Sequence, residues 1–281
     1  MQDSLFYILE IFIFLLGFCI GSFLNCVIYR IEEDKSFLKG RSFCPNCKHK
    51  LNWLDLFPVF SFLLLGGKCR YCKIKISWQY LFVEIFTAVV FLLIFSKVGV
   101  IPNLTGNPRF AQVLWIPAFA GMTTNLLFLF YIASSLIVIS VYDLKHYLIP
   151  DNVLLPAVII SLLYKVAVNF SLDYVLNLFL AVLISSGFFF ILWLVSGGKW
   201  MGFGDVKLAI LLGILLGWPN ILVALFLAFF LGAIVGVALL IFKKTKMKSE
   251  IAFGPFLILG TFLAMFWGQN IINWYLNLVL F

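Results

Sequence analysis

Four cysteines form two pairs in one basic stretch of the chain, with the spacing of a metal site. Cys44 and Cys47 make the first Cys-x-x-Cys pair, and Cys69 and Cys72 make the second. Two such pairs can close a tetrahedral site, because each pair presents both sulfurs from one tight turn. The surrounding lysines and arginines favour thiolate over thiol. We therefore predict structural zinc, with reduced or redox-active cysteine pairs as the alternative.

Two of the twelve acidic residues, Asp143 and Asp205, border apolar segments, where a charge is costly and usually functional. Two carboxylates held close together cannot both ionise easily, so one stays protonated while the other acts as a base. Such a pair can activate water and polarise a peptide carbonyl, which predicts an aspartyl dyad. Gly202 and Gly204 would let the backbone before Asp205 turn and approach a substrate strand or a neighbouring helix closely.

Structural roles for the same acidic residues are also open. Asp205 could cap the N-terminus of its helix, where a carboxylate meets free backbone N–H groups. Asp143 could form an ion pair with Lys145 or Lys207. Asp151 follows a proline and precedes a new apolar segment, so we predict that it is an N-cap.

The elements that must position these residues are membrane-spanning helices. Hydrophobic residues make up 64% of the 281 and charged residues 11%, whereas soluble domains are about one quarter charged. The predicted fold is an all-α polytopic membrane protein of about eight transmembrane helices, with a small zinc-binding loop domain between the first two. The predicted spans, of which the sixth is short, cover residues 5–29, 78–96, 125–142, 152–169, 175–196, 205–217, 220–242 and 254–280.

Basic residues are concentrated in alternate connections between these spans. Seventeen of the twenty lysines and arginines fall in the first, third, fifth and seventh connections, when Lys207 at the start of the sixth span is counted with the fifth connection. The positive-inside rule therefore places the cysteine loop and both aspartates on the cytoplasmic side and both termini outside. The net charge of +8 does not indicate nucleic-acid binding, because no soluble domain carries a basic face with interleaved aromatics.

The spans and connections divide the chain into four parts. We predict a first transmembrane helix over residues 1–29, the four-cysteine loop over 30–77, a second helix with an external loop over 78–124, and a six-helix peptidase membrane domain over 125–281. The first apolar run has no basic segment before it and is predicted to be a retained span rather than a signal peptide. Prolines and glycines interrupt residues 97–124, which favours an external loop there.

With these motifs in place, nearly the whole chain resembles the bacterial prepilin peptidases, also called type IV leader peptidases. Residues 143–151 are similar to the family's first catalytic motif, an Asp followed after a short gap by Pro150-Asp151. Residues 202–207, which end in Lys207, are similar to the second, the GxGD signature of intramembrane aspartic proteases. The four-cysteine segment resembles the family's cytoplasmic zinc loop.

The resemblance implies an aspartic endopeptidase of the bacterial inner membrane, with Asp143 and Asp205 as its catalytic residues. Such enzymes remove the short basic leader of type IV prepilins or secretion pseudopilins, cutting after a Gly on the cytoplasmic side of the substrate's apolar segment. Many also methylate the new N-terminus, usually Phe, with S-adenosylmethionine. The sequence does not place a site for that methyl donor.

Two other classes of protein would use the same residues differently. A proton-coupled membrane transporter would also carry intramembrane carboxylates, but the acidic residues lie near one face and no internal repeat is apparent. A zinc-ribbon scaffold without chemistry would leave the GxGD motif and the second carboxylate without a use. We therefore predict a prepilin peptidase, with the transporter as the alternative.

Overall fold

Helices make up most of the chain that the computed structural model describes, which is residues 2–36, 40, 42–98, 108–242 and 252–279. No strand occurs in these ranges, and the β-bridges found there, Phe43 with Lys50 and Lys68 with Lys75, are isolated. The helices are α1 (Gln2–Glu32), α2 (Phe60–Leu64), α3 (Trp78–Val98), α4 (Pro108–His146), α5 (Asp151–Val168), α6 (Leu172–Ser196), α7 (Phe203–Leu216), α8 (Asn220–Ile241) and α9 (Gly254–Val279).

Each of the eight predicted spans corresponds to a helix. Within the described ranges, seven helices are long and apolar enough to cross a membrane, namely α1, α3, α4, α5, α6, α8 and α9. The eighth, α7, has 14 residues, so it is only about 21 Å long and shorter than a bilayer core of about 30 Å. The prediction of a multi-pass all-α membrane protein is therefore confirmed.

The segment before the third span differs from its prediction. We predicted an irregular loop over residues 97–124, but α4 already begins at Pro108. A proline is tolerated in the first turn of a helix, because its missing N–H would have no intrahelical partner there. The loop prediction is therefore wrong for residues 108–124, and residues 99–107 lie outside the described part of the chain.

The chain forms two units, Met1–Val138 and Ile139–Phe281. In the first unit, α1 packs along α3, and small residues on α1 let the two backbones approach closely. A Cβ on Gly17 would lie 2.5 Å from the Cα of Ala88, and a Cβ on Gly21 would lie 2.7 Å from the Cα of Glu84. This contact brings Glu84 against the face of α1.

In the second unit, α7 contacts α5, α6, α8 and α9. Its Leu208, Ala209, Leu211 and Leu212 are fully buried, which makes α7 the centre of this unit's core. Within a bilayer such burial replaces lipid contacts with close side-chain packing, and this packing holds the helix between its neighbours. The first turn of α7, which carries Asp205, is positioned by that packing.

Candidate active site and metal centre

The four cysteines predicted to bind zinc are brought together by the structure. Their Sγ atoms all lie within 4.8 Å of one another, and the Sγ atoms of Cys44 and Cys72 are 3.9 Å apart. A tetrahedral site with metal–sulfur bonds of about 2.3 Å places its sulfurs about 3.8 Å apart. The cluster therefore has the donor atoms and the size to hold a metal ion.

Two backbone turns of the same design present the sulfurs. In the first, the Cys44 N–H donates to the His49 carbonyl at 2.9 Å, and the Lys48 N–H donates to the Cys44 carbonyl at 2.9 Å. Lys48 has a φ of 56°, in the left-handed region. The same bonds recur in the second turn, through Cys69, Ile74 and Lys73, and Lys73 has a φ of 58°. The repeated geometry is what a pair of metal-binding turns requires.

The thiols of the cluster ionise unequally. The pKa of Cys72 is lowered to about 6, chiefly because the backbone N–H of Ile74 donates to its sulfur. A hydrogen bond from the backbone N–H of His49 likewise favours a lower pKa for Cys47. Burial and the thiols of Cys44 and Cys72 outweigh this bond and raise the pKa of Cys47 to about 11. Because four thiolates repel one another, a bound cation is needed to hold them all ionised.

Asp55 ties the middle of the cysteine loop to its second turn. Its carboxylate accepts hydrogen bonds from Arg70 Nε at 2.6 Å, the Asn52 N–H at 3.1 Å and the Tyr71 hydroxyl at 3.2 Å. Burial alone would raise the pKa of Asp55, but these donors, led by Arg70, outweigh it and lower the pKa below its usual value. The capping-box spacing of Asn52 and Asp55 is a local signal for the bond to Asn52, whereas nothing local indicates Arg70 or Tyr71 as partners.

The two aspartates predicted to form the dyad come from different helices of the second unit. Asp143 lies in the last turn of α4 and is 5% exposed. Asp205 is the third residue of α7, and it lies close enough to Asp143 for the two carboxylates to repel each other. Two like charges in one low-dielectric site cannot both ionise easily, which is the electrostatic requirement of an aspartyl dyad.

A third segment fixes one of these carboxylates. The backbone N–H of Gly254, the first residue of α9, donates to Asp143 Oδ2 at 3.1 Å. The first N–H groups of a helix have no intrahelical partner and favour an anion, so Asp143 caps α9. Phe253 anchors the start of α9 by packing against Phe229, with ring centroids 4.9 Å apart. The sequence did not predict this contact, because Gly254 is remote from both motifs.

The two glycines of the GxGD segment have different surroundings. A Cβ on Gly204 would lie 3.2 Å from the Cβ of Ile149, so Gly204 permits a close approach between the start of α7 and the α4–α5 connection. Gly202 is the N-cap of α7, with an ordinary φ of −74°, and a Cβ there would be no nearer than 3.9 Å to its neighbours. Close packing within the chain therefore explains why residue 204 is a glycine, but it does not explain the glycine at residue 202.

Lys207 pairs with the second acidic residue of the first motif. Its Nζ lies 2.8 Å from both carboxylate oxygens of Asp151. The structure makes Pro150 the N-cap of α5 and places Asp151 in the first turn, so the prediction that Asp151 is the N-cap is wrong. The ion pair orients its carboxylate toward α7 instead. Asp205 is likewise not an N-cap, since that position belongs to Gly202.

Comparisons with known proteins agree with these motifs. The model of the bacterial peptidase A24 N-terminal domain matches residues 15–98, and that of the type IV leader peptidase family matches residues 130–237. Proteins named prepilin leader peptidase/N-methyltransferase are 30% identical in Aeromonas salmonicida strain A449 and 31% identical in Legionella pneumophila. The alignments cover 95% of this chain and 94% of the first relative, and 94% of this chain and 93% of the second.

A relative of the same name in Pseudomonas aeruginosa is 30% identical over 94% of this chain and 92% of its own length. No solved structure gives a significant match. Since each alignment covers at least 94% of this chain, the similarity to these relatives extends over both units. The chain belongs to the type IV leader peptidase family.

Proposed function

We propose that this protein is a prepilin leader peptidase whose catalytic residues are Asp143 and Asp205. The observation that carries the proposal is the placement of these two carboxylates, which α4 and α7 bring near each other in the second unit. Both belong to the motifs that resemble those of the family. In the division of the chain predicted above, residues 125–281 form the peptidase domain and residues 30–77 form the metal loop.

The dyad can hydrolyse a peptide bond with water as the nucleophile. The ionised carboxylate takes a proton from water while the oxygen of that water bonds to the scissile carbonyl carbon. The protonated carboxyl donates a hydrogen bond to the carbonyl oxygen and stabilises its developing negative charge. The C–N bond then breaks, and the leaving nitrogen takes a proton from the dyad. Gly254 keeps the Asp143 carboxylate oriented through these steps.

The substrates are type IV prepilins or secretion pseudopilins at the bacterial inner membrane. Their basic leader stays in the cytoplasm, and the concentration of basic residues in alternate connections supports the predicted cytoplasmic side for the dyad and for the cysteine loop, with both termini outside. Asp143 and Asp205 each stand near the end of a helix, where a scissile bond just outside the substrate's apolar segment can reach them.

Zinc is the metal that we assign to Cys44, Cys47, Cys69 and Cys72. A site of four cysteines leaves no open coordination position, so the ion is structural. The loop has little core of its own, and metal binding supplies part of its folding free energy.

The second proposed activity is methylation of the new N-terminus, as the name N-methyltransferase of the relatives suggests. The resemblance to the family implies S-adenosylmethionine as the methyl donor. The transporter interpretation receives no support from any of these relatives.

Cleavage of a prepilin-type peptide by the purified protein tests the peptidase proposal. The peptide carries a basic leader, a Gly-Phe junction and the apolar segment, and mass spectrometry locates the cut. We expect one cleavage, between Gly and Phe, and no cleavage of a matched peptide in which a bulky residue replaces that Gly. If the folded, zinc-loaded protein cuts neither peptide, the proposed activity is wrong.

A further inference from the structure

A cavity of about 420 Å³ lies in the first unit, between α1, α3 and the cysteine loop. This volume is within the range of small-molecule sites, about 300–1,000 Å³. None of its lining residues belongs to the proposed aspartyl dyad. Most of its wall is apolar or aromatic, and three buried side chains, Asn25, Arg30 and Glu84, contribute polar groups.

Asn25 presents a buried acceptor without a partner. The residue is 3% exposed, and its Nδ2 donates to the Tyr80 carbonyl at 3.0 Å. That bond fixes the orientation of the amide, because a flipped amide would set two oxygens against each other. Oδ1 is buried and accepts no hydrogen bond from any described residue. A buried acceptor without a partner is unfavourable, so a donor from a ligand would be favoured.

Glu84 adds a buried carboxylate to the same wall. It is 7% exposed, and its Oε2 accepts the Val59 N–H at 2.7 Å. A hydrogen bond from Ser22 also reaches this carboxylate. These donors fix the orientation of the carboxyl group. Together, Asn25 and Glu84 favour a ligand that carries N–H or O–H donors or a positive charge.

Arg30 supplies a positive charge to the cavity. It is 7% exposed, and its guanidinium donates to the carbonyls of Ser36 at 3.2 Å and Gly40 at 2.8 Å. Buried groups of both signs are complementary to an amino-acid zwitterion. The rings of Tyr29 and Phe43, which also line the cavity, offer an apolar surface suited to a purine.

Resting on the N-methylation proposed above, we infer that this cavity binds S-adenosylmethionine through Asn25, Glu84 and Arg30. The ligand combines an amino-acid zwitterion, hydroxyl donors, a purine and a positively charged sulfur, which matches the mixture of groups in the wall. When bound, it supplies a methyl group for the amine of a substrate. The site lies in the unit that carries the cysteine loop, and the peptidase residues lie in the other.

An aminophospholipid headgroup shares part of this chemistry, because it also carries an ammonium and an anionic group. The test therefore uses the full-length protein in nanodiscs of phosphatidylcholine and phosphatidylglycerol, because neither lipid has a primary amine. Binding of tritiated S-adenosylmethionine is measured at equilibrium without any methyl acceptor. Cleavage of a prepilin-type peptide is measured on the same preparations.

We expect saturable binding of one ligand per chain by the wild type. Asn25→Leu and the conservative Glu84→Gln should each weaken binding at least about tenfold, because each removes one buried acceptor or charge. Asn273→Leu makes the same amide-to-leucine change at an exposed position of α9 outside the cavity and should bind like the wild type.

Wild-type protein that cleaves the peptide but does not bind the ligand would overturn this inference and leave the proposed peptidase standing. Wild-type affinity in both cavity variants would overturn it as well. Displacement of the bound ligand by added phosphatidylethanolamine, with the same dependence on Asn25 and Glu84, would assign the cavity to a lipid headgroup instead. Binding without cleavage would support the inference and count against the peptidase proposal alone.

Discussion

The backbone N–H of Gly254 donates a 3.1 Å hydrogen bond to Oδ2 of Asp143 and thereby joins the start of α9 to the end of α4. The carboxylate is almost fully enclosed, so its orientation is set by this bond and by the surrounding packing. A side chain on residue 254 would occupy the space of the carboxylate, since a Cβ there would lie 2.5 Å from Oδ2. Glycine at this position is thus a condition for the geometry of the dyad.

Gly254→Ala is expected to reduce cleavage about ten- to a hundredfold, because displacing a catalytic group by a fraction of an ångström disrupts its alignment with the substrate. The measurement is the initial rate of cleavage of a prepilin-type peptide by the purified variant. Gly236→Ala on α8 is a matched control, because a Cβ at Gly236 meets no atom within 4 Å. Equal rates for the two variants would show that Gly254 does not position Asp143.

The ion pair between Lys207 and Asp151 should contribute modestly to activity. Both side chains are partly exposed, at 33% and 49%, and exposed pairs are worth at most about 1 kcal/mol. We expect Lys207→Asp and Asp151→Lys each to lower the cleavage rate about two- to fivefold, because the pair connects α5 to the first turns of α7. The charge-reversed double variant should recover part of the loss. If the fold-loss in rate of the double variant equals the product of the fold-losses of the two single variants, Lys207 and Asp151 are not directly coupled.

Loss of a cysteine ligand should release the metal and loosen the loop. Cys72→Ser is expected to lower the zinc content well below one ion per chain and to increase proteolysis within residues 42–77, because metal binding stabilises the folded loop. Zinc is measured by elemental analysis of the purified protein. Cys19→Ser is the matched control, since Cys19 is an exposed residue of α1 outside the cluster and its removal should leave the zinc content unchanged. Full zinc content in Cys72→Ser would contradict the assigned ligands.

The features that could be predicted from the sequence are those with a local signature. The spacing of Cys44, Cys47, Cys69 and Cys72 predicts a metal cluster, and the structure brings their sulfurs together. Apolar runs predict the spanning helices, because length and composition alone decide whether a segment can cross a bilayer. The GxGD segment locates Asp205 at the start of a short helix, as found.

The features that could not be predicted depend on contacts between distant segments. Nothing near Gly254 in the sequence indicates that its N–H meets Asp143, and the spacing of the motifs does not reveal that Lys207 pairs with Asp151. The unpartnered oxygen of Asn25 likewise becomes visible only when α1 and α3 are packed together. At Pro108, local helix-breaking residues suggested a loop, although a proline is compatible with a first helical turn.

The most direct test of the central claim is the cleavage rate of Asp143→Asn and of Asp205→Asn, measured against the wild type at equal zinc content and with helical content checked by circular dichroism. Each substitution keeps the shape of the side chain and removes the carboxylate that the mechanism requires. We predict that each variant is folded and loses at least about a hundredfold in rate, the range expected when a general acid or base is removed. Cleavage near the wild-type rate by either folded variant would contradict the aspartyl dyad.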